Sequence, residues 1–211
     1  MKVGNRTIDH IVYAVFDLEK AMLEFEAKTG VQPKFGGYHP TQGTENALVH
    51  LGGRCYLEFL AIDASNPNIN PPRWMGIDYI DKPQITRWAI DSKNLEKDCE
   101  TLKTYNAEMG NIQKGQRAKM DGSLLKWQLT MPLSSPKVEV VPFAIDWQYS
   151  ESHPTDSLSP QCQLLDLKIT TPNGKEVLDI FSQLNITTII EQGLKNSIVA
   201  TIKTPQGIIQ I

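Results

Sequence analysis

No apolar run in this 211-residue chain approaches the roughly 20 residues that a bilayer-spanning helix requires. Dense basic stretches are missing as well. The 21 Lys and Arg are set against 24 Asp and Glu, giving a formal charge of -3. That balance leaves no electrostatic footprint for nucleic acid and no polybasic cluster for a membrane surface. Cysteine is scarce: Cys55, Cys99 and Cys162 show no CxxC spacing. Reduced thiols in a cytoplasmic protein are therefore expected, rather than a disulfide framework or a zinc knuckle. Nucleotide-phosphate loops of the GxGxxG and GxxxxGK[ST] types are absent, and so is the GxSxG nucleophile elbow. Lys2 precedes an apolar stretch that Asp9 and His10 interrupt, so no signal peptide is expected.

What is present has the periodicity of a globular protein, with 40% hydrophobic and 21% charged residues. "IDHIVYAV" at 8–15 has the β-branched composition of a strand, and "DLEKAMLEFEAKTG" at 17–30 that of a helix. Asp17 is placed to cap this helix, Leu18, Met22 and Phe25 form its apolar stripe, and Gly30 ends it. Strands are expected around 31–36, at 46–51 and at 55–62, giving a β-α-β-β-β order. The Pro- and Asn-rich residues 64–84 form a linker or lid. The pattern then restarts: "NLEK" lies on "DLEK" at an offset of 77 residues, and "FAID" at 143–146 parallels "LAID" at 60–63. Further strands are expected at 124–130 and 137–145. The division is a first βαβββ module at 1–63, a second at 85–149 and a C-terminal partial module at 160–211, all in one compact unit. The fold class is α+β, with paired βαβββ modules forming a cup-shaped mixed sheet plus a third partial module.

The stretches "IDHIVYAVFDLEKAMLEFEAKTG", "GGYHPTQGTENAL", "YLEFLAID" and "VPFAIDW" resemble the vicinal oxygen chelate superfamily, in its glyoxalase-like branch. The resemblance covers the first two modules and, loosely, the third. It implies that the modules curl into a cup around a small-molecule substrate, polarised by a metal.

Strand alternation puts Ile8, His10, Val12 and Ala14 on one face and Asp9, Ile11, Tyr13 and Val15 on the other. The second set suits the helix-facing side, which leaves His10 in the concavity. Tyr56, Glu58, Leu60 and Ile62 share a face likewise. A neutral imidazole and a carboxylate suit a divalent metal such as Zn, Mn, Fe, Co or Ni. The resemblance thus implies a metal at His10 and Glu58, with His39 as third ligand or general base. The second module departs from the pattern. The 77-residue offset puts Arg87 opposite His10, and matching "FAID" to "LAID" puts Val141 opposite Glu58. Neither ligates a metal. Arg87 could instead grip Glu58 or a substrate anion, in a pocket with no tightly bound metal.

Thr44, Asn46, Arg117 and Trp127 complete the candidate substrate-binding set, with His39 and Glu58 as catalytic candidates. Plainer readings stand beside these. His10 could be a hydrogen-bonded interior histidine, His39 could bond its own turn, Thr44 and Asn46 could serve turn geometry, and Trp127 could be packing. His50 and His153 read as surface or packing residues. The expected function is a glyoxalase-like enzyme, a lyase, isomerase or dioxygenase, acting on a small carbonyl- or carboxylate-bearing substrate. The alternative is a non-catalytic protein of the same fold that sequesters small molecules. Neither nucleic acid nor membrane is an expected partner, and completion of the cup by a second copy, as a homodimer, stays open.

Overall fold

The computed structural model describes residues 1–118 and 124–211. The first unit runs β1 (Lys2–Val3), β2 (Arg6–Ala14), α1 (Leu18–Thr29), β3 (Lys34–His39), β4 (Thr44–His50) and β5 (Tyr56–Ile62). The second runs β6 (Gln84–Asp91), α2 (Leu95–Tyr105), β7 (Ile112–Ala118), β8 (Leu124–Thr130) and β9 (Phe143–Asp146). The third comprises β10 (Gln163–Thr171), α3 (Gly174–Gln183), β11 (Ile190–Gln192), β12 (Ser197–Thr204) and β13 (Gly207–Gln210).

The repeated "LEK" helices start as their caps require. Asp17 accepts the Lys20 N–H at 3.0 Å and Asn94 accepts the Lys97 N–H at 3.1 Å, each satisfying an orphan first-turn donor. The first two units share one mixed sheet in the order β3-β4-β5-β2-β6-β9-β8-β7, with β1 on the flank of β2. Within each unit the first strand runs parallel to the last, β2 with β5 and β6 with β9, and the units join where β2 and β6 run antiparallel. The edge strands β3 and β7 come into contact, so the sheet curls into a nearly closed cup.

The sequence reading and the structure part in the second unit. The strand expected over 137–145 shrinks to Phe143–Asp146. Pro136 and Pro142 bracket the β-like "KVEVV" and remove ladder donors at both ends. The return over 131–142 is held instead by Arg87. Its Nη1 donates to the Thr86 carbonyl at 2.7 Å and to that of Lys137 at 3.2 Å. Its Nη2 donates to the carbonyls of Leu133 at 2.6 Å and Pro136 at 2.7 Å. Strand β7 carries a glycine at its centre and alternates weakly, and the sequence reading did not separate it from its turn. The stretch "GQRAKMDGSLLKWQL" that placed Arg117 and Trp127 includes 119–123, which lie outside the described residues.

The C-terminal unit repeats the βαβββ order but not its pairing. Its strands form a separate sheet, β11-β10-β12-β13, in which β10 runs parallel to the strand right after the helix. It docks on the outside of the cup. Trp88 is fully buried, donates Nε1–H to the Val140 carbonyl at 2.8 Å and meets the edge of Phe181 from α3 at 5.9 Å. No helix among the described residues is long and apolar enough to cross a membrane.

Candidate functional site

Alternation along β2 places His10 on the concave face, and Asp9 ought then to point away. It does not, because the β2–β6 ladder steps from Ile8↔Ile90 to His10↔Ala89. Asp9 is the extra residue of a β-bulge, a feature that re-aims side chains beside functional sites. His10 Nδ1 consequently lies 2.6 Å from Asp9 Oδ1. Asp9 Oδ2 accepts from Trp147 Nε1 at 3.0 Å and from His153 Nε2 at 3.2 Å. Burial alone would raise the Asp9 pKa. Hydrogen bonds from His10 and His153, with their coulombic pull, outweigh it and hold the group at about 2.

This carboxylate fixes two tautomers. An ionised Asp9 has no proton to give, so His10 carries its proton on Nδ1 and presents Nε2 to the cavity. His153 donates from Nε2, since its Nδ1 faces the Thr155 backbone N–H at 3.3 Å. His10 Nε2 lies 3.7 Å from Glu58 Oε2, and Glu58 Oε1 accepts from Asn46 Nδ2 at 2.6 Å. Tyr56 stacks on the His10 imidazole at 4.8 Å, and Phe143 meets it edge-on at 5.3 Å. The Tyr56 phenol is pushed well above its ordinary range by burial, then by the carboxylates of Asp9 and Glu58.

His39 closes the other side. Its Nδ1 lies 3.0 Å from Thr44 Oγ1, which also accepts Trp74 Nε1–H at 3.1 Å, and Asn46 Nδ2 lies 3.4 Å from its Nε2. Burial pulls the His39 pKa down to about 4 against the opposing charge of Glu58, so the ring is neutral at pH 7. Arg117 completes the ring of polar groups. Burial lowers its pKa, while Tyr56 and Glu58 favour the charged form.

His10, His39, Asn46, Tyr56, Glu58 and Arg117 line one chamber, walled by indole rings, with a free volume of ≈ 30 Å³. Across His39, Trp74, Trp127 and Leu129, which line both spaces, lies an outer vestibule of ≈ 290 Å³.

Of the residues singled out by sequence, His10, His39, Asn46, Glu58, Arg117 and Trp127 meet at this chamber, and Thr44 supports it through His39. Arg87 does not. It pairs with Val12 in the ladder, but its guanidinium is taken up by backbone carbonyls, and burial lowers its pKa to about 10. Val141 is buried and contributes no group to the chamber. Asp9 was assigned to the wrong face because a bulge is invisible to strict alternation. His153, read as surface or packing, is 2% exposed and holds Asp9. Its Ser- and Pro-rich surroundings gave no sign of that.

The metal implied by the resemblance does not fit this arrangement. His10 and Glu58 converge, but His39 is engaged with Thr44 and Asn46. Among the described residues no three His, Cys, Asp or Glu side chains come together as a ligand set. The three thiols are buried and free, and burial pushes Cys55 up to about 12, so no thiolate nucleophile is poised.

The family model for the glyoxalase-like domain matches residues 8–184. Among solved structures, a hypothetical protein from Staphylococcus aureus superposes with a TM-score of 0.67 at 16% identity, over 95% of this chain and 91% of that one. A variant of Streptomyces coelicolor methylmalonyl-CoA epimerase, in complex with 2-nitronate-propionyl-CoA, gives 0.42 at 17%, over 69% and 97%. Methylmalonyl-CoA epimerase from Mycobacterium tuberculosis gives 0.39 at 18%, over 69% and 89%. A comparison with curated proteins returned no match.

Proposed function

The chain belongs to the glyoxalase-like domain family, and from that premise we propose that it is an enzyme moving a proton at a carbon next to a carbonyl or carboxylate. The observation that carries the reading is the buried array in which Asp9 fixes the His10 tautomer and His10 Nε2 faces Glu58 Oε2 at 3.7 Å. Asp9 acts here as a positioning residue. Glu58 takes the proton: the substrate C–H bond breaks, an O–H bond forms on Oε2, and the electron pair moves onto the substrate oxygen as an enolate. Asn46 holds Oε1 so that Oε2 faces the substrate. Arg117 balances the enolate charge inside the indole-walled chamber. His10 Nε2, 3.7 Å from Glu58 Oε2, accepts the proton from Glu58 or returns it to carbon. His39, neutral at pH 7, orients Asn46 and Thr44 rather than acting as the base.

A second reading, sequestration without chemistry, is favoured by the second half of the cup, where Arg87 and Val141 bring no reactive group to the chamber. One experiment separates the two. The protein is incubated in D₂O with small 2-oxo acids, and loss of the proton signal beside the carbonyl is followed by NMR. The enzyme reading expects exchange above buffer that falls about 100-fold or more in Glu58→Gln, the usual worth of a general base. Saturable binding with no exchange would overturn it and leave the sequestering protein.

A further inference from the structure

The reacting chamber holds ≈ 30 Å³, yet the vestibule beside it holds ≈ 290 Å³. A substrate confined to the chamber would leave that larger space without purpose, and the wall between them is built to be shared. Trp127, opposite Gly115 in the β7–β8 ladder, lines both spaces. A Cβ added at Gly115 would meet Trp127 Cε2 at 2.3 Å, so the indole lies flat on bare backbone. Trp74 and Trp127 both come edge-on to His39, at 5.2 and 6.5 Å. Beyond these rings the vestibule is walled by Gln42, Gln113, Lys114 and Gln116, and no Asp or Glu is among the described residues that line it.

Resting on the proton-transfer reading above, we propose that the substrate is a two-part molecule. Its small 2-oxo-acid head enters the chamber, and a flat aryl tail, neutral or anionic, occupies the vestibule against Trp127 and Trp74. Gly115 and Trp127 are then the specificity-determining pair. Two indoles supply faces for stacking, three glutamines supply amide donors and acceptors, and the lysine, with no carboxylate among the described lining residues, disfavours a cationic tail. Catalytic binding energy from such a remote part of a substrate is a general means of holding the reacting carbon in place.

The probes are pyruvate, which has the head alone, 3-phenylpyruvate, which has head and tail, and benzamide, which has a tail alone. Dissociation constants come from calorimetry, and exchange from the NMR assay above. Phenylpyruvate is expected to bind about tenfold tighter than pyruvate, the gain from burying a phenyl ring. In Gly115→Ala, where the added methyl unseats the indole, that ratio should fall below about threefold. Trp127→Leu should have the same effect and serves if Gly115→Ala does not fold. Equal affinity for the two acids in the wild type overturns the two-part substrate, as does a ratio unchanged in both variants. Exchange of pyruvate with no tail advantage sinks this inference alone. A tail advantage without exchange supports the vestibule and sinks the enzymatic reading. Failure of all three probes to bind sinks both.

Discussion

Gly36 in the first half of the cup makes room for an amide, because a Cβ there would lie 2.3 Å from Asn46 Oδ1. Gly115 in the second half makes the same kind of room for the Trp127 indole. Each glycine sits on the edge strand of its unit, β3 or β7, beneath a residue of the neighbouring strand. The occupants differ, and so does everything around them. The first half turns its polar groups into the cavity, where Asn46 holds Glu58, Glu58 faces His10 and Asp9 fixes the imidazole. The second half turns one of its arginines onto its own backbone, with Arg87 bonded to the carbonyl of Thr86 on its own strand and to those of Leu133 and Pro136 in the 131–142 return. A duplicated frame has thus been divided, the first copy supplying the groups that handle the proton and the second supplying walls and the Arg117 cation. The Arg87 cation replaces the hydrogen bonds that the proline-bracketed segment cannot make as a strand.

That division predicts unequal consequences of mutation, and the largest should be structural and lie in the second half. Arg87→Leu removes the guanidinium donors from four carbonyls, those of Thr86 and Leu133 in buried bonds and those of Pro136 and Lys137 in part-buried ones, and leaves Glu139 without its cationic neighbour. Destabilisation of about 4 kcal/mol is expected, read from the denaturant midpoint. A loss under about 1 kcal/mol would mean that Arg87 does not hold the return. Next comes His39, whose pKa falls from 6.5 to about 4 on burial. Because the folded value lies below the unfolded one, the unfolded chain takes up the proton first as pH falls. The stabilisation is complete above pH 6.5 and is lost progressively towards pH 4, by about 3 kcal/mol in all. Unfolding curves at pH 7 and pH 4 should therefore converge by that amount in His39→Gln. An unchanged pH dependence would mean that His39 is not held neutral in the wall of the chamber.

The sequence made the cup itself legible, through the repeated "LEK" helices and their Asp17 and Asn94 caps, because capping and periodicity act over a single turn. It also brought Glu58, His10, His39, Asn46 and Arg117 to one hollow, since strand alternation and the resemblance act together there. Failures arose where geometry depended on a partner strand. Whether Asp9 faces in or out is decided by a bulge against Ala89, 80 positions away. The role of His153 depends on a loop that returns from beyond the second unit to reach Asp9. Arg87 faces carbonyls rather than ligand because prolines 132, 136 and 142 keep the return from pairing, and a 77-residue offset carries no such information.

The first half is expected to show its weight in rate rather than stability. Asp9→Asn keeps the size of the side chain but can no longer serve as the acceptor of three buried donors. The His10 proton is then free to sit on Nε2, blocking the atom that faces Glu58. Exchange of 2-oxo acids should fall about 100-fold, a loss of a little under 3 kcal/mol in transition-state stabilisation. The same variant should lose the Asp9 contribution to acid stability. That contribution is present above pH 3.8 and is lost as pH falls to about 2.

The smallest effect sharpens the comparison most. Gly36 has no positive φ, so alanine fits its backbone, but the new methyl must push Asn46 away from Glu58 Oε1. Stability should drop by about 1–2 kcal/mol, as in other overpacked sites. Exchange should slow about tenfold for pyruvate and phenylpyruvate alike, the loss of one charge-assisted hydrogen bond. Gly115→Ala, the matching change in the second half, should instead alter the ratio between the two acids. The chemistry of the first glycine is tied to the carboxylate, and that of the second to the indole wall. Should Gly36→Ala shift the ratio while Gly115→Ala slows both acids equally, the two halves would have exchanged their parts. The assignment of proton handling to one copy and selection to the other would then be wrong.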